Sequence, residues 1–106
     1  MKIMFTGDVV ISGEKSEDDL LTEDLKKMLR GIDILCCNFE APVPGNAKKK
    51  KKVGPNNTNG LATISKLSKA GFKLATLANN HIFDYGYEGM CNTIQQLNNH
   101  GIKTIG

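Results

Sequence analysis

Short apolar runs and stretches with helical spacing alternate along the whole chain, and that alternation restricts the possible folds more than any other feature. Residues 2–7 read as a short buried strand, followed by Asp8 and a glycine-containing loop through Gly13. From Ser16, a candidate N-cap ahead of the acidic turn Glu17, Asp18, Asp19, the residues Leu21, Leu25, Met28 and Leu29 recur at helical spacing. This first helix, residues 16–30, stops at Gly31. Residues 32–39 form the second strand and residues 60–70 the second helix, with Leu61, Ile64 and Leu67 on one face and Gly71 as its C-terminal cap. Residues 72–78 form strand three, residues 87–99 a helix with Tyr87, Met90, Cys91, Ile94 and Leu97 on its apolar face, and Gly101 closes that helix before strand four at 102–105. The order βαβαβαβ predicts an α/β fold built on a parallel sheet with covering helices.

The chain has 106 residues, enough for one domain, and its 40% hydrophobic and 24% charged content is that of a globular protein. The last strand starts at the final residues, so the expectation is the first part of a larger domain whose open sheet edge is covered by a carboxyl-terminal portion or by self-association. Five of the 14 Lys and Arg residues sit in residues 48–52; without them the formal charge turns from +3 to −2. The basic pI therefore reports one local run, and no spread basic face predicts nucleic-acid binding. The run lies in a long loop, residues 41–59, rich in Pro, Gly, Asn and Lys, which is expected to be solvated and able to attract a polyanionic substrate. Cys36 and Cys37 read as small apolar core residues, as does Cys91, and the odd count with no CxxC spacing predicts neither disulfides nor a thiolate metal site. No apolar stretch of membrane-spanning length and no signal peptide is visible, which makes the cytoplasm the default location, with an envelope-associated role left open.

In open parallel sheets ligands bind beyond the carboxyl ends of the strands. Here the first three strands end in Asp8, in Asn38 and Glu40, and in Asn79, Asn80 and His81. Hard oxygen donors from Asp8, Glu40 and the Asn80 carbonyl, with an imidazole nearby, suit one or two divalent cations of the Mn, Fe, Zn or Mg kind. Asn38 and Asn79, at the same strand ends, are candidates for contacting substrate. Asp84 reads as a turn-ordering residue before helix three, and His100 as a helix-dipole partner.

The stretches Phe5-Thr6-Gly7-Asp8, Cys37-Asn38-Phe39-Glu40 with Pro42, and Leu77-Ala78-Asn79-Asn80-His81 with Asp84-Tyr85-Gly86 resemble the successive motifs of the CapA family, the poly-gamma-glutamate capsule biosynthesis proteins. That family is similar to the calcineurin-like metallophosphatases, and the resemblance implies the amino-terminal half of a two-sheet sandwich flanked by helices. It also implies roles. Asp8 would ligate a first metal, Glu40 would bridge two, Asn80 would ligate the second, and His81 would protonate the leaving oxygen or stabilise the charged transition state. Val10 stands where the superfamily's first motif carries a histidine, so one ligand of the first metal is absent. Two functions are therefore expected: a metal-dependent hydrolase-like protein of capsule or envelope polymer biosynthesis acting on an anionic polymer or phosphoester, or a non-catalytic polyanion-binding accessory on the same fold.

Overall fold

The computed structural model describes residues 1–12, 19–52 and 54–106. It contains β1 (Ile3–Val9), α1 (Glu23–Met28), β2 (Ile34–Phe39), α2 (Leu61–Lys69), β3 (Phe72–Thr76), α3 (Gly86–Asn99) and β4 (Lys103–Ile105). The strands form one sheet in the order β1-β2-β3-β4, parallel throughout. The expected α/β class and the βαβαβαβ order are both present. Each helix is followed by a glycine at positive φ, with Gly31 at 84°, Gly71 at 94° and Gly101 at 76°. A left-handed residue just past a helix turns the chain back towards the sheet, and only glycine takes that conformation without a steric cost.

Strands that lie side by side in chain order, joined by right-handed crossovers, carry their helices on one face. The packing shows this. Leu35, Cys37 and Phe39 of β2 and Phe72 and Ala75 of β3 share a single core cluster with Ile64 and Leu67 of α2 and Leu97 of α3. On the opposite face Ile3, Phe5 and Ile105 remain 50%, 68% and 47% exposed. The strand expected to be buried, β1, is therefore an edge strand with one open face, and only Met4 and Val9 reach the core from it.

Three amphipathic stripes differ from those expected. Helix α1 spans six residues capped by Thr22, whose hydroxyl accepts from the Leu25 amide, and buries none of them. The proposed cap Ser16 and the acidic Glu17 and Asp18 lie outside the described residues. In α2 the buried residues are Thr63, Ile64 and Leu67, with Leu61 exposed. In α3 the buried line is Gly86, Gly89, Thr93 and Leu97, so Tyr87 and Cys91 face away from the core. The reason is the 41–59 loop, which packs against α3 where a larger residue would not fit. A Cβ on Gly86 would meet Lys50 Cε of that loop at 2.6 Å, one on Gly89 would meet Ala47 Cβ at 3.7 Å, and Thr93 Oγ1 accepts from the Val43 amide at 3.0 Å.

Cys36 and Cys37 are buried as expected. Burial, helped by the adjacent Cys36, pushes the Cys37 thiol up to about 12, which leaves it protonated and inert. Among the described residues no helix is long and apolar enough to cross a membrane.

Candidate functional site

Two irregularities in strand pairing decide which side chains meet at the carboxyl ends of the strands. Between β1 and β2, Phe5 pairs with Cys36 but Asp8 pairs with Asn38, so β1 holds one extra residue at Thr6-Gly7. Side chains alternate faces along a strand. Without the extra residue Asp8 would fall on the core face; with it, Asp8 shares the open face with Asn38. A second irregularity at Lys73 of β3 pairs Leu74 with Cys36 and Thr76 with Asn38, which brings Thr76 to that face as well. Glu40, two residues after Asn38, lies there by simple alternation, its amide still bonded to the Val9 carbonyl at 3.2 Å.

Asn38 stands at the centre of the resulting group. Its Nδ2 donates to Asp8 Oδ1 at 2.8 Å and to Glu40 Oε2 at 2.5 Å. Its Oδ1 accepts from Thr76 Oγ1 at 3.2 Å and from Asn79 Nδ2 at 3.3 Å. Asn79 in turn donates to the Phe39 carbonyl at 2.9 Å and accepts from the His81 amide at 3.1 Å. The two residues expected to touch substrate thus have their amides engaged by the chain itself. Asn80 is exposed and lies outside this network, on a largely apolar groove of about 590 Å³ between the end of β3 and α3 that is also lined by Phe83, Met90 and Ile94.

His81 is half-buried and held at both ring nitrogens. Nδ1 lies 2.7 Å from Asp84 Oδ2 and Nε2 lies 3.1 Å from Asn57 Nδ2. Donation from Nδ1 to the carboxylate leaves Nε2 as the acceptor of the Asn57 amide. Asp84 is buried, 2% exposed, and binds far more than the turn before α3. Its carboxylate also takes the Asn57 amide at 2.7 Å and an ion pair from Lys52, while its carbonyl accepts from the Lys50 amide at 2.8 Å and Asn56 Nδ2 at 2.9 Å. The lysine run is therefore divided: Lys52 turns back onto Asp84, with its Nζ 3.5 Å from His81 Nδ1, while Lys48, Lys49, Lys50 and Lys51 remain exposed. A buried carboxylate demands a counter-charge, and a cation-rich loop passing within reach supplies it.

Burial alone would raise the Asp84 carboxyl, but the hydrogen bonds from Lys52, the Asn57 amide and His81 outweigh it and hold the carboxyl below its usual range. A depressed folded value stabilises the fold above the ordinary carboxylate range and loses that contribution as pH falls through the folded value. The thermal midpoint of the chain is expected to exceed that of Asp84→Asn at neutral pH. The gap should begin to narrow below about pH 4, where an aspartate carboxyl protonates in the unfolded chain, and close as pH falls through the lower value of the folded chain. A gap of constant size from pH 7 to pH 2 would show that the charge plays no part.

As donors, the carboxylate oxygens of Asp8 and Glu40 are of the hard kind that divalent cations take, and one oxygen of each already accepts from Asn38 Nδ2. They make half a site: among the described residues no group of three or more His, Cys, Asp or Glu side chains is placed to hold a metal. Val10, at the position where the first-motif histidine would stand, is 42% exposed and offers no donor. What sequence reasoning missed is the tie between the loop and His81. The visible signal was His81-x-x-Asp84, the spacing of neighbours on one turn, together with a lysine run otherwise lacking any counter-charge.

Comparison with known proteins places the chain in a family. The profile of the bacterial capsule synthesis protein PGA_cap matches residues 2–106. The chain is 31% identical over 91 residues to the capsule biosynthesis protein CapA of Bacillus anthracis, covering 83% of the chain and 22% of that protein. It is 27% identical over 110 residues to the PGA biosynthesis protein CapA of Bacillus subtilis (strain 168), covering 96% of the chain and 29% of the relative. The chain thus spans less than a third of the length of either relative. With a matching profile across all but its first residue, the chain belongs to the bacterial capsule synthesis protein PGA_cap family.

Proposed function

We propose that this chain carries the strand-end part of a divalent-metal hydrolase site that acts in capsule or envelope polymer biosynthesis on an anionic polymer or a phosphoester. The observation that carries the proposal is the continuous line of hydrogen bonds from Asp8 through Asn38 and Asn79 to the backbone amide of His81, which ties the carboxylate-bearing strand ends to the turn that carries the imidazole. Asp8 and Glu40 would hold the cation, without Asn80, which lies outside their hydrogen-bond network. A divalent cation there supplies Lewis-acid polarisation of a phosphoryl or carbonyl oxygen. The chain's own residues do the rest. Asp84 fixes the ring of His81 through Nδ1, which leaves Nε2 as the atom that exchanges a proton with substrate once Asn57 gives way. The exposed Lys48, Lys49 and Lys51 draw an anionic substrate towards that edge.

Titration of the chain with MnCl2 tests this. Binding by the wild type, weakened at least tenfold in both Asp8→Asn and Glu40→Gln, is the expected result, followed by Mn²⁺-dependent hydrolysis of a generic phosphoester or amide that His81→Ala abolishes. No binding at millimolar Mn²⁺ would overturn it. That outcome would favour the second function, a polyanion-binding accessory, for which the observations are Val10 in place of a ligand and a His81 whose two nitrogens are both capped by its own chain.

A further inference from the structure

Counted along the chain, the body outside residues 48–52 is slightly acidic, but the fold sorts its charges between the two ends of the sheet. In a parallel sheet whose crossovers are helices, every helix returns the chain to the amino ends of the strands. The residues at those returns are basic. Arg30 follows α1 and Lys69 ends α2, Lys27 lies in the last turn of α1, and Lys2, Lys73 and Lys103 stand at or beside the first residues of β1, β3 and β4. All of them are exposed, and among the described residues none is in an ion pair. The nearby carboxylates are engaged elsewhere: Lys26 takes Asp19 at 2.8 Å and Glu23 at 3.0 Å, and Asp33 Oδ2 accepts the Lys2 backbone amide at 2.6 Å.

Cations in the last turn of a helix offset its dipole, which accounts for Lys27 and Lys69. It does not account for Lys2, Lys73 and Lys103, which lie on the strands. Neighbouring strands are about 4.8 Å apart, so the four strand starts spread these cations along a line of roughly 14 Å. By alternation Lys103, two residues before the open-face Ile105, projects to the open face, and Lys2, two before the core-packed Met4, to the helix face. The edge is therefore a ridge with cations on both flanks. A linear polyanion can lie across a ridge and bring its charges to both flanks, whereas a planar bilayer meets only its crest. We infer that the amino-end edge of the sheet is a docking surface for a linear carboxylate polymer, at the opposite end of the strands from Asp8, Glu40 and His81. The inference rests on the function proposed above only for the class of ligand, an anionic polymer, and it needs no metal. Neutralising a polyanion releases its counterions, so binding of this kind weakens steeply with salt.

The experiment is a calorimetric titration of poly-L-glutamate into the full chain at low and at high salt. It compares the wild type with an edge variant carrying Arg30→Gln, Lys73→Gln and Lys103→Gln, and with a loop variant carrying Lys48→Gln, Lys49→Gln and Lys51→Gln; circular dichroism checks that each is folded. Phosphatidylglycerol vesicles are titrated in parallel, because Met28 is 74% exposed beside Lys27. The expected result is salt-sensitive binding of the polymer by the wild type, at least tenfold weaker in the edge variant. Equal affinity in the wild type and the edge variant overturns the inference; if the loop variant alone is weakened, the polymer is drawn to the His81 end and the function proposed above stands without this surface. Binding of vesicles without binding of polyglutamate overturns it in favour of a bilayer. No binding of polyglutamate by the wild type overturns it as well, while the Mn²⁺ titration, which involves no polymer, decides the metal reading separately. If the edge variant does not fold, Lys103→Gln alone removes one cation from the row: several-fold weaker binding supports the inference, and unchanged affinity refutes it.

Discussion

Replacing Phe39 with alanine is expected to cost about 3–5 kcal/mol, the usual range for deleting a buried phenyl ring. Phe39 is fully buried in the shared core cluster, between Asn38 and Glu40, which point to the other face. Its ring is thus the anchor that holds the end of β2 flat against the helices while its two neighbours face the site. For a domain of this size each kcal/mol moves the thermal midpoint by roughly 4 °C or more, so a drop of at least about 12 °C should appear in thermal denaturation followed by circular dichroism. A drop of only a few degrees would mean that the core closes over the missing ring, and that the strand end depends on something else.

Asp84→Ala should have the second-largest effect, about 2–3 kcal/mol. It leaves the His81 ring nitrogen, the Asn57 amide and the Lys52 ammonium without their shared acceptor. The figure is set below that for breaking a fully buried pair, because Lys52 can swing into water. Its local consequence is more diagnostic than its size. Amide exchange at Asn57 should accelerate strongly, while exchange in β2 and β3 tracks only the global loss of stability. Uniform acceleration across the chain would show that Asp84 supports the fold as a whole instead of tying the loop to His81. Asp84→Asn keeps one acceptor oxygen and should recover part of the protection at Asn57.

Much of this architecture was legible before any coordinates. The glycines that end the helices, the alternation of apolar runs and the polar strand ends are local features, and local features survive into the fold. The pairing of Asn38 with Glu40 on one face was also readable, since two residues on a strand separated by one share a side. Asp8 was not assignable to a face by the same rule, because period-two counting puts it opposite Phe5 and gives no sign that β1 doubles a residue at Thr6-Gly7. The exposure of β1 follows from a sheet order that a sequence pattern does not encode. Apolar spacing alone puts Tyr87 and Cys91 on the core face of α3, whereas the loop crossing that helix admits small residues such as Gly86 and Gly89 along its line of approach. The ion pair between Lys52 and Asp84 spans 32 positions in the chain and lies beyond any local rule.

The strands lie side by side in the order in which they are translated. No strand therefore has to slip between two others that are already paired. Domains generally fold as units, and within this one every strand pairing joins elements that are neighbours in the chain. The strand-end groups follow the same chain order: Asp8 in β1, the Asn38 amide and Glu40 carboxylate at the end of β2, and the imidazole in the turn after β3 that meets the lysine loop, so each crossover adds one part to the same edge.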